Sequence, residues 1–201
     1  MFSTQLKDLW NYKKKRQRYY CKGEPISLEK AFTMLLTGLS GAGKTTTALG
    51  LQERLKQVNK RVEILDGDIV RDEIGHLFGY SREERLKVSK ILRFTAKLLN
   101  KNGISVIIAA ISPYQEMRDN YRQMMSDYVE TFVKCPLEVC VERDVKGLYQ
   151  KALRGDVKHV VGVDEVFEIP RSPDIVIDTS EMSLEDGVEK IWIALKEKSY
   201  V

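Results

Sequence analysis

The chain has 201 residues, enough for one α/β domain with a substantial core and too few for a comfortable second one. Lys and Arg number 33 and Asp and Glu 29, a net charge of +4, yet residues 7–22 alone carry +6 and leave the remainder at −2. The body is therefore no general polyanion binder, and a nucleic-acid partner is not expected. The longest apolar run, Val106–Ile111, falls far short of the ~20 residues that span a bilayer, and the N-terminus has no apolar signal region. Cys21, Cys135 and Cys140 form an odd, scattered set that reads as free thiols of a reducing compartment. The expectation is a cytoplasmic protein without membrane segments.

Residues 1–30 form a polar, basic arm with Trp10, Tyr12, Tyr19 and Tyr20, ending near Gly23-Glu24-Pro25. It reads either as a solvated helix that docks its aromatics on the body or as an arm that binds phosphate or a partner. From residue 31 to 201, short apolar runs alternate with amphipathic stretches. Phe32–Thr37 predicts a buried strand and Lys44–Gln57 a helix. Arg61–Leu65 predicts a second strand, followed by a loop that opens with Asp66-Gly67-Asp68. Val88, Ile91, Thr95, Leu98 and Leu99 repeat at helical spacing and predict a helix over Glu83–Lys101. Ile104–Ile111 reads as a third strand covered on both faces, Met117–Tyr128 as a helix, Thr131–Lys134 as a fourth strand and Leu137–Arg143 as a short helix. Residues 144–172 are polar, glycine-punctuated and basic, as in a mobile lid. Asp174–Ile177 predicts a fifth strand and Leu184–Glu197 a closing helix. The alternation implies a mostly parallel five-stranded sheet with helices on both faces.

Gly38-Leu-Ser-Gly-Ala-Gly43-Lys44-Thr45 fits the phosphate-binding pattern G-x-x-x-x-G-K-[ST], and it lies between a strand and a helix, as that pattern requires. The fold class expected is thus a P-loop three-layer α/β sandwich. Gly38, Gly41 and Gly43 permit backbone conformations that let successive amides face a phosphate, and the helix dipole adds to the attraction. Ser40, Ala42 and Thr46 complete the stretch. Lys44 is expected on the β- and γ-phosphates of ATP, and Thr45 on Mg²⁺.

Asp68 follows the second strand, and parallel sheets bind ligands at the carboxyl ends of their strands. A carboxylate there can take a proton from a substrate hydroxyl or orient Mg²⁺, although Asp-Gly-Asp also makes a simple turn. Both readings stand on the spacing alone. Arg143, Lys146 and Lys158, with Lys151 and Arg154, give the lid the charge to close over a triphosphate. His76 and His159 are the only histidines, and neither they nor Cys135 and Cys140 have metal-ligand spacing, so no zinc site is expected.

Together these stretches resemble the adenosine 5′-phosphosulfate (APS) kinase family. The resemblance is carried by TGLSGAGKT (37–45), LDGD-x-VR (65–71), LFGYS (77–81), Ile111-Ser112-Pro113-Tyr114, PLEVCVERD (136–144), KGLY (146–149) and Gly162-Val-Asp164. It implies a phosphotransferase of sulfate assimilation that uses Mg²⁺ and ATP to phosphorylate the 3′-hydroxyl of APS. It also implies a nucleotide-like small-molecule acceptor and a homodimer. Asp68 then corresponds to the catalytic or metal-orienting acid, beside Lys44 and Lys146. Ser112 stands where the family has a serine near the phosphates, phosphorylated in some members. Arg71 and Arg85 match arginines of the APS side, and Tyr80 matches an aromatic that stacks on its adenine. Ile111, Lys158 and Val160 complete the implied acceptor side. Three positions depart from the family's pattern: Ile69 follows DGD in place of asparagine, Val88 opens Val88-Ser89-Lys90-Ile91 where the family has N-I-R-R and so replaces a second asparagine, and Val160 replaces an aromatic of the adenine sandwich. Because these departures fall on the acceptor side, two further readings remain. One is a related kinase of another activated nucleotide, such as cytidine diphosphoramidate. The other is a non-catalytic ATP-binding protein with a partner-binding arm.

Overall fold

A computed structural model of the chain describes residues 30–74 and 77–201. The arm expected over residues 1–30 lies outside them apart from Lys30, as do Cys21 and His76. Five strands form one sheet: β1 (Thr33–Thr37), β2 (Val62–Asp66), β3 (Ser105–Ala109), β4 (Tyr128–Lys134) and β5 (Ile175–Asp178). Their order is β2-β3-β1-β4-β5, and every neighbouring pair is parallel. The helices are α1 (Lys44–Gln57), α2 (Gly67–Ile74), α3 (Arg82–Asn100), α4 (Gln115–Met124), α5 (Leu137–Arg143), α6 (Leu148–Leu153) and α7 (Leu184–Glu197). This is the three-layer α/β arrangement expected from the alternation. No helix among the described residues is long and apolar enough to cross a membrane.

The strand period divides the core in two. Met34 and Leu36 of β1 join Leu51 and Leu55 of α1 and Ile191, Trp192 and Leu195 of α7 on one face. Leu35, between them in sequence, joins Val88, Leu92 and Ala96 of α3 and Tyr121 of α4 on the other. Both faces of β1 are buried, so its three central residues, Met34, Leu35 and Leu36, are all apolar although they alternate between the faces. Helix α3 starts with a capping box. Ser81 Oγ accepts the Glu84 amide, and Glu84 Oε2 accepts the Ser81 amide at 3.2 Å. Glu84 Oε1 also takes the Gly79 amide at 2.8 Å, which pins the turn that carries Tyr80.

Three sequence expectations change. The helix expected to run to Tyr128 stops at Met124, and β4 begins at Tyr128 rather than Thr131. Glu130 hid the start of that strand by interrupting its apolar run. The carboxylate is buried because cations come to it: Arg118 Nε lies 3.5 Å from Oε1 and Arg122 Nη2 3.3 Å from Oε2. The expected loop at Asp66-Gly67-Asp68 is instead the start of α2, because Asp66 Oδ1 accepts the Asp68 amide at 2.8 Å, the bond an N-cap side chain makes. Finally, the stretch read as a lid contains α6, entered through Gly147 at φ 61.

Arg118 is fully buried. Nη1 donates to Ser112 O at 2.7 Å, and Nη2 donates to Gln115 Oε1 at 2.9 Å and to Glu168 O at 2.5 Å. Burial lowers its pKa and raises that of Glu130, each opposed by the other's charge. Removing one partner strands a buried charge, whereas removing both does not. We expect Arg118→Met to cost about 3–5 kcal/mol in urea unfolding. Arg118→Met combined with Glu130→Gln should cost clearly less than the sum of the two single changes. Strict additivity would refute the coupling.

Candidate active site

The loop between β1 and α1 is built around backbone that side chains would obstruct. Gly41 and Gly43 have φ of 76° and 90°, where residues other than glycine are strained. A Cβ on Gly41 would lie 3.2 Å from the Cys140 carbonyl oxygen, and one on Gly38 would collide with the Val133 carbonyl oxygen. The loop opens directly into α1, so free amides and the positive helix end meet there, the arrangement that binds phosphate. Lys44 donates from Nζ to Leu39 O at 2.7 Å across the loop. Burial pulls its pKa down to about 8, with the Asp68 charge acting in the opposite sense.

Three contacts brace the loop from outside. Thr179, just after β5, donates from Oγ1 to Ala42 O at 2.9 Å. Arg143, closing α5, donates from Nη2 to Thr179 O at 2.8 Å and from Nη1 to Gly41 O at 3.4 Å. Tyr149 of α6 donates its hydroxyl proton to Ser40 O at 3.0 Å, which joins the root of the lid to the loop.

Asp66 ends β2 next to this loop. Its Oδ2 accepts the Thr45 hydroxyl at 2.6 Å, while Oδ1 holds the Asp68 amide. One buried carboxylate thus fixes both residues that the sequence assigns to metal binding. A hydroxyl and two carboxylates are hard oxygen donors. Mg²⁺ typically takes one or two carboxylates and completes its shell with phosphate oxygens and water. The donor set fits that ion. Asp68 itself is exposed, and the Lys146 ammonium of the lid is ion-paired with its Oδ2.

Across the cavity, Arg71 and Arg85 flank Tyr80. Their guanidinium carbons lie 4.2 and 5.4 Å from the Tyr80 ring centroid, within cation–π range. Arg71 donates to Gly79 O at 2.8 Å; Arg85 donates from Nε to Tyr80 O at 2.9 Å and from Nη2 to His159 O at 2.7 Å. Burial and the neighbouring Arg71 charge both lower the Arg85 pKa. Two guanidiniums this close form a subsite that an anion would relieve.

After β3, Ser112 has φ 43°, in the left-handed region. Its turn is held by Thr37 Oγ1 donating to Ile111 O at 2.6 Å and by Arg118 on Ser112 O. The far end of the lid is stitched to the same turn, because the Glu168 amide donates to Pro113 O at 2.8 Å and Glu168 Oε2 accepts the Gln115 amide at 2.6 Å.

One cavity of about 900 Å³ gathers most of the candidate residues. Ser40, Gly41, Gly43, Lys44, Thr45, Thr46 and Arg143 line its phosphate end. Asp68, Lys146, Arg71, Tyr80, Arg85, Ile111, Ser112, Lys158 and Val160 line the rest. Gly38 and Ala42 do not reach it: Gly38 backs onto β4 and Ala42 is fully buried. Val160 is only 4 % exposed and packs into the core, so its contribution to the wall is small. Ile69 is 62 % exposed and outside the cavity, so this departure does not touch the acceptor wall, whereas Val88 does. Sequence reasoning missed Asp66 and Thr179. Both stand at the carboxyl ends of strands, and that position was the available signal.

A family model described as adenylylsulphate kinase matches residues 30–178. The adenylyl-sulfate kinase of Rippkaea orientalis is 44% identical over 173 residues, which cover 86% of this chain and 96% of that protein. That of a Picosynechococcus species is 45% identical over 172 residues, 86% of this chain and 97% of its own. Among solved structures, the Mycobacterium tuberculosis APS kinase in complex with AMPPNP and APS superposes with a TM-score of 0.80 at 32% identity, covering 83% of this chain and 98% of that one. With a family match over most of its length and relatives of this similarity, the chain belongs to the adenylylsulphate kinase family.

Proposed function

We propose that the protein transfers the γ-phosphoryl group of ATP to the 3′-hydroxyl of APS, releasing ADP and 3′-phosphoadenosine 5′-phosphosulfate. The observation that carries this is the single cavity. Lys44 and Thr45 stand at one end, the Arg71–Tyr80–Arg85 cluster lies across it, and Asp68 lines the same wall system with Lys146. The acceptor is a dianion with an aromatic base, which matches two guanidiniums on a tyrosine ring.

The new bond joins the 3′-oxygen to phosphorus, and the bond that breaks is the one to the β–γ bridging oxygen. Asp68 takes the hydroxyl proton. Lys44 neutralises the phosphates from the loop side, and Lys146 exchanges its pairing with Asp68 for the charge that develops on the transferred group. Arg71 and Arg85 hold the sulfate end, and Arg143 covers the ATP side of the loop. Thr45 with Asp66 and Asp68 would hold Mg²⁺, which when bound would supply charge neutralisation on the phosphates. The exposed position of Ile69, outside the cavity, supports APS over another nucleotide acceptor, since that departure leaves the wall unchanged. The free thiols Cys135 and Cys140 support a cytoplasmic location, and the exposed apolar Phe94 and Leu98 on α3 support a homodimer.

ADP release from Mg-ATP, measured with and without APS and with Lys44→Ala as the blank, tests the assignment. We expect APS-dependent release in the native protein and none in Lys44→Ala; retained turnover in that variant would sink the phosphate-site reading. Asp68→Asn should keep ATP binding and lower kcat by about 10²–10⁴, and an unchanged kcat would remove Asp68 from proton transfer. Asp66→Asn keeps a hydrogen-bonding group against Thr45 but loses the charge. The Mg²⁺ concentration for half-maximal rate should rise by about 10–100-fold, and an unaltered Mg²⁺ requirement would contradict the role given to Asp66.

A further inference from the structure

The turn at residues 159–165 holds one side chain in an uncommon position. His159 has φ 62°, in the left-handed region that residues other than glycine seldom enter. Asp164 clamps the amides of His159 at 2.7 Å and Val160 at 2.5 Å, while Arg85 donates to His159 O at 2.7 Å. The amides of Val163, Asp164 and Glu165 all converge on Val160 O. Strained backbone held by this many bonds gathers at ligand-binding positions, and this turn forms part of the cavity wall.

The ring is the part left available. It is 48 % exposed and lines the cavity. Nδ1 lies 2.8 Å from Glu165 Oε1, and the other oxygen of that carboxylate accepts the Tyr114 hydroxyl at 3.1 Å. A carboxylate beside Nδ1 keeps the proton on that nitrogen, and in the tautomer this contact selects Nε2 carries the lone pair and is an acceptor. No group among the described residues bonds Nε2. The adjacent Val160 is buried and apolar, and Lys158 on the other side lines the cavity with a group that only donates, so the imidazole is the side-chain acceptor of this stretch of the wall. Arg85 ties the turn directly to the Tyr80 cluster.

We infer that His159 Nε2 accepts a hydrogen bond from the exocyclic amine of the acceptor's adenine, making His159 a specificity-determining residue that separates amino-purines from oxo-purines. An oxo-purine presents a carbonyl to that nitrogen where the amine stood, and its nearest donor, N1–H, sits at the neighbouring ring position rather than there. This inference rests on the APS reading proposed above.

The test uses the full chain and two acceptors, APS and inosine 5′-phosphosulfate, which carries a carbonyl in place of the amine and a proton on the neighbouring ring nitrogen N1. ADP release is followed at saturating Mg-ATP. The native protein should prefer APS by about tenfold in kcat/KM, the usual weight of one such hydrogen bond with its desolvation. His159→Gly, which suits the left-handed φ, and His159→Ala should both bring that ratio close to one, through KM for APS and with KM for ATP unmoved. A ratio that survives in the glycine variant, or KM values for both acceptors that rise together, would overturn the inference while leaving APS as substrate. Absence of any APS-dependent ADP release in the native protein would overturn the APS reading and this inference with it.

Discussion

Asp66 is the residue through which the two halves of the site are held in register. One carboxylate oxygen takes the hydroxyl of Thr45 at the start of α1, and the other takes the amide of Asp68 at the start of α2. The carboxylate is buried although its partners are exposed, so leaving either of its oxygens unmatched would be costly. Because β2 is held through β3 to β1, its carboxyl end cannot move independently of the phosphate loop. The distance between the phosphate lysine and the proposed base is thereby fixed by the sheet rather than by a loop.

A second group of buried polar contacts serves the opposite wall. Arg118 joins the turn after β3, the strap that leaves the lid and the middle of β4. Such a charge inside a domain is expensive unless its donors find acceptors or a counter-charge. Here Nη1 and Nη2 bond Ser112 O, Gln115 Oε1 and Glu168 O, while Nε faces Glu130 as an ion pair at 3.5 Å without a hydrogen bond. The strained φ of Ser112 sits on this support. The lid is thus tethered at both ends, by Tyr149 to the phosphate loop and by Glu168 to the Ser112 turn, with the Lys146–Asp68 pair between them.

Much of this was legible beforehand for identifiable reasons. The spacing from Gly38 to Thr45 reports a local chain conformation, so it survives translation into structure. Helices α1, α5 and α7 were readable to the residue because their starts are marked in the sequence, by the phosphate-loop motif before Lys44, by Pro136 and by Ser183 as cap. Glu130 defeated the same logic in β4. A strand residue can be ionised and buried when its counter-charges arrive from another element, and nothing in the local pattern announces Arg118 or Arg122. The loop expected at Asp66 failed for the opposite reason, since a side chain that makes turns also starts helices. Val160 was judged by residue type alone, whereas its weight in the site depends on how deeply it is buried. The His159–Glu165 pair was not legible, because it needs a turn whose shape comes from Asp164 and from the distant Arg85.

The strand order has a consequence for how the molecule is made. β1 is the first strand in the described sequence and the central one in space. Thr33 has no ladder partner until Val106 and Tyr128 exist. During synthesis the most apolar strand near the N-terminus therefore emerges well before either neighbour, with its backbone donors and acceptors unpaired. Parallel sheets with such distant pairings fold slowly. For that interval β1 is the segment most exposed to wrong pairing with another nascent chain, and protection from a chaperone matters most before β4 has left the ribosome.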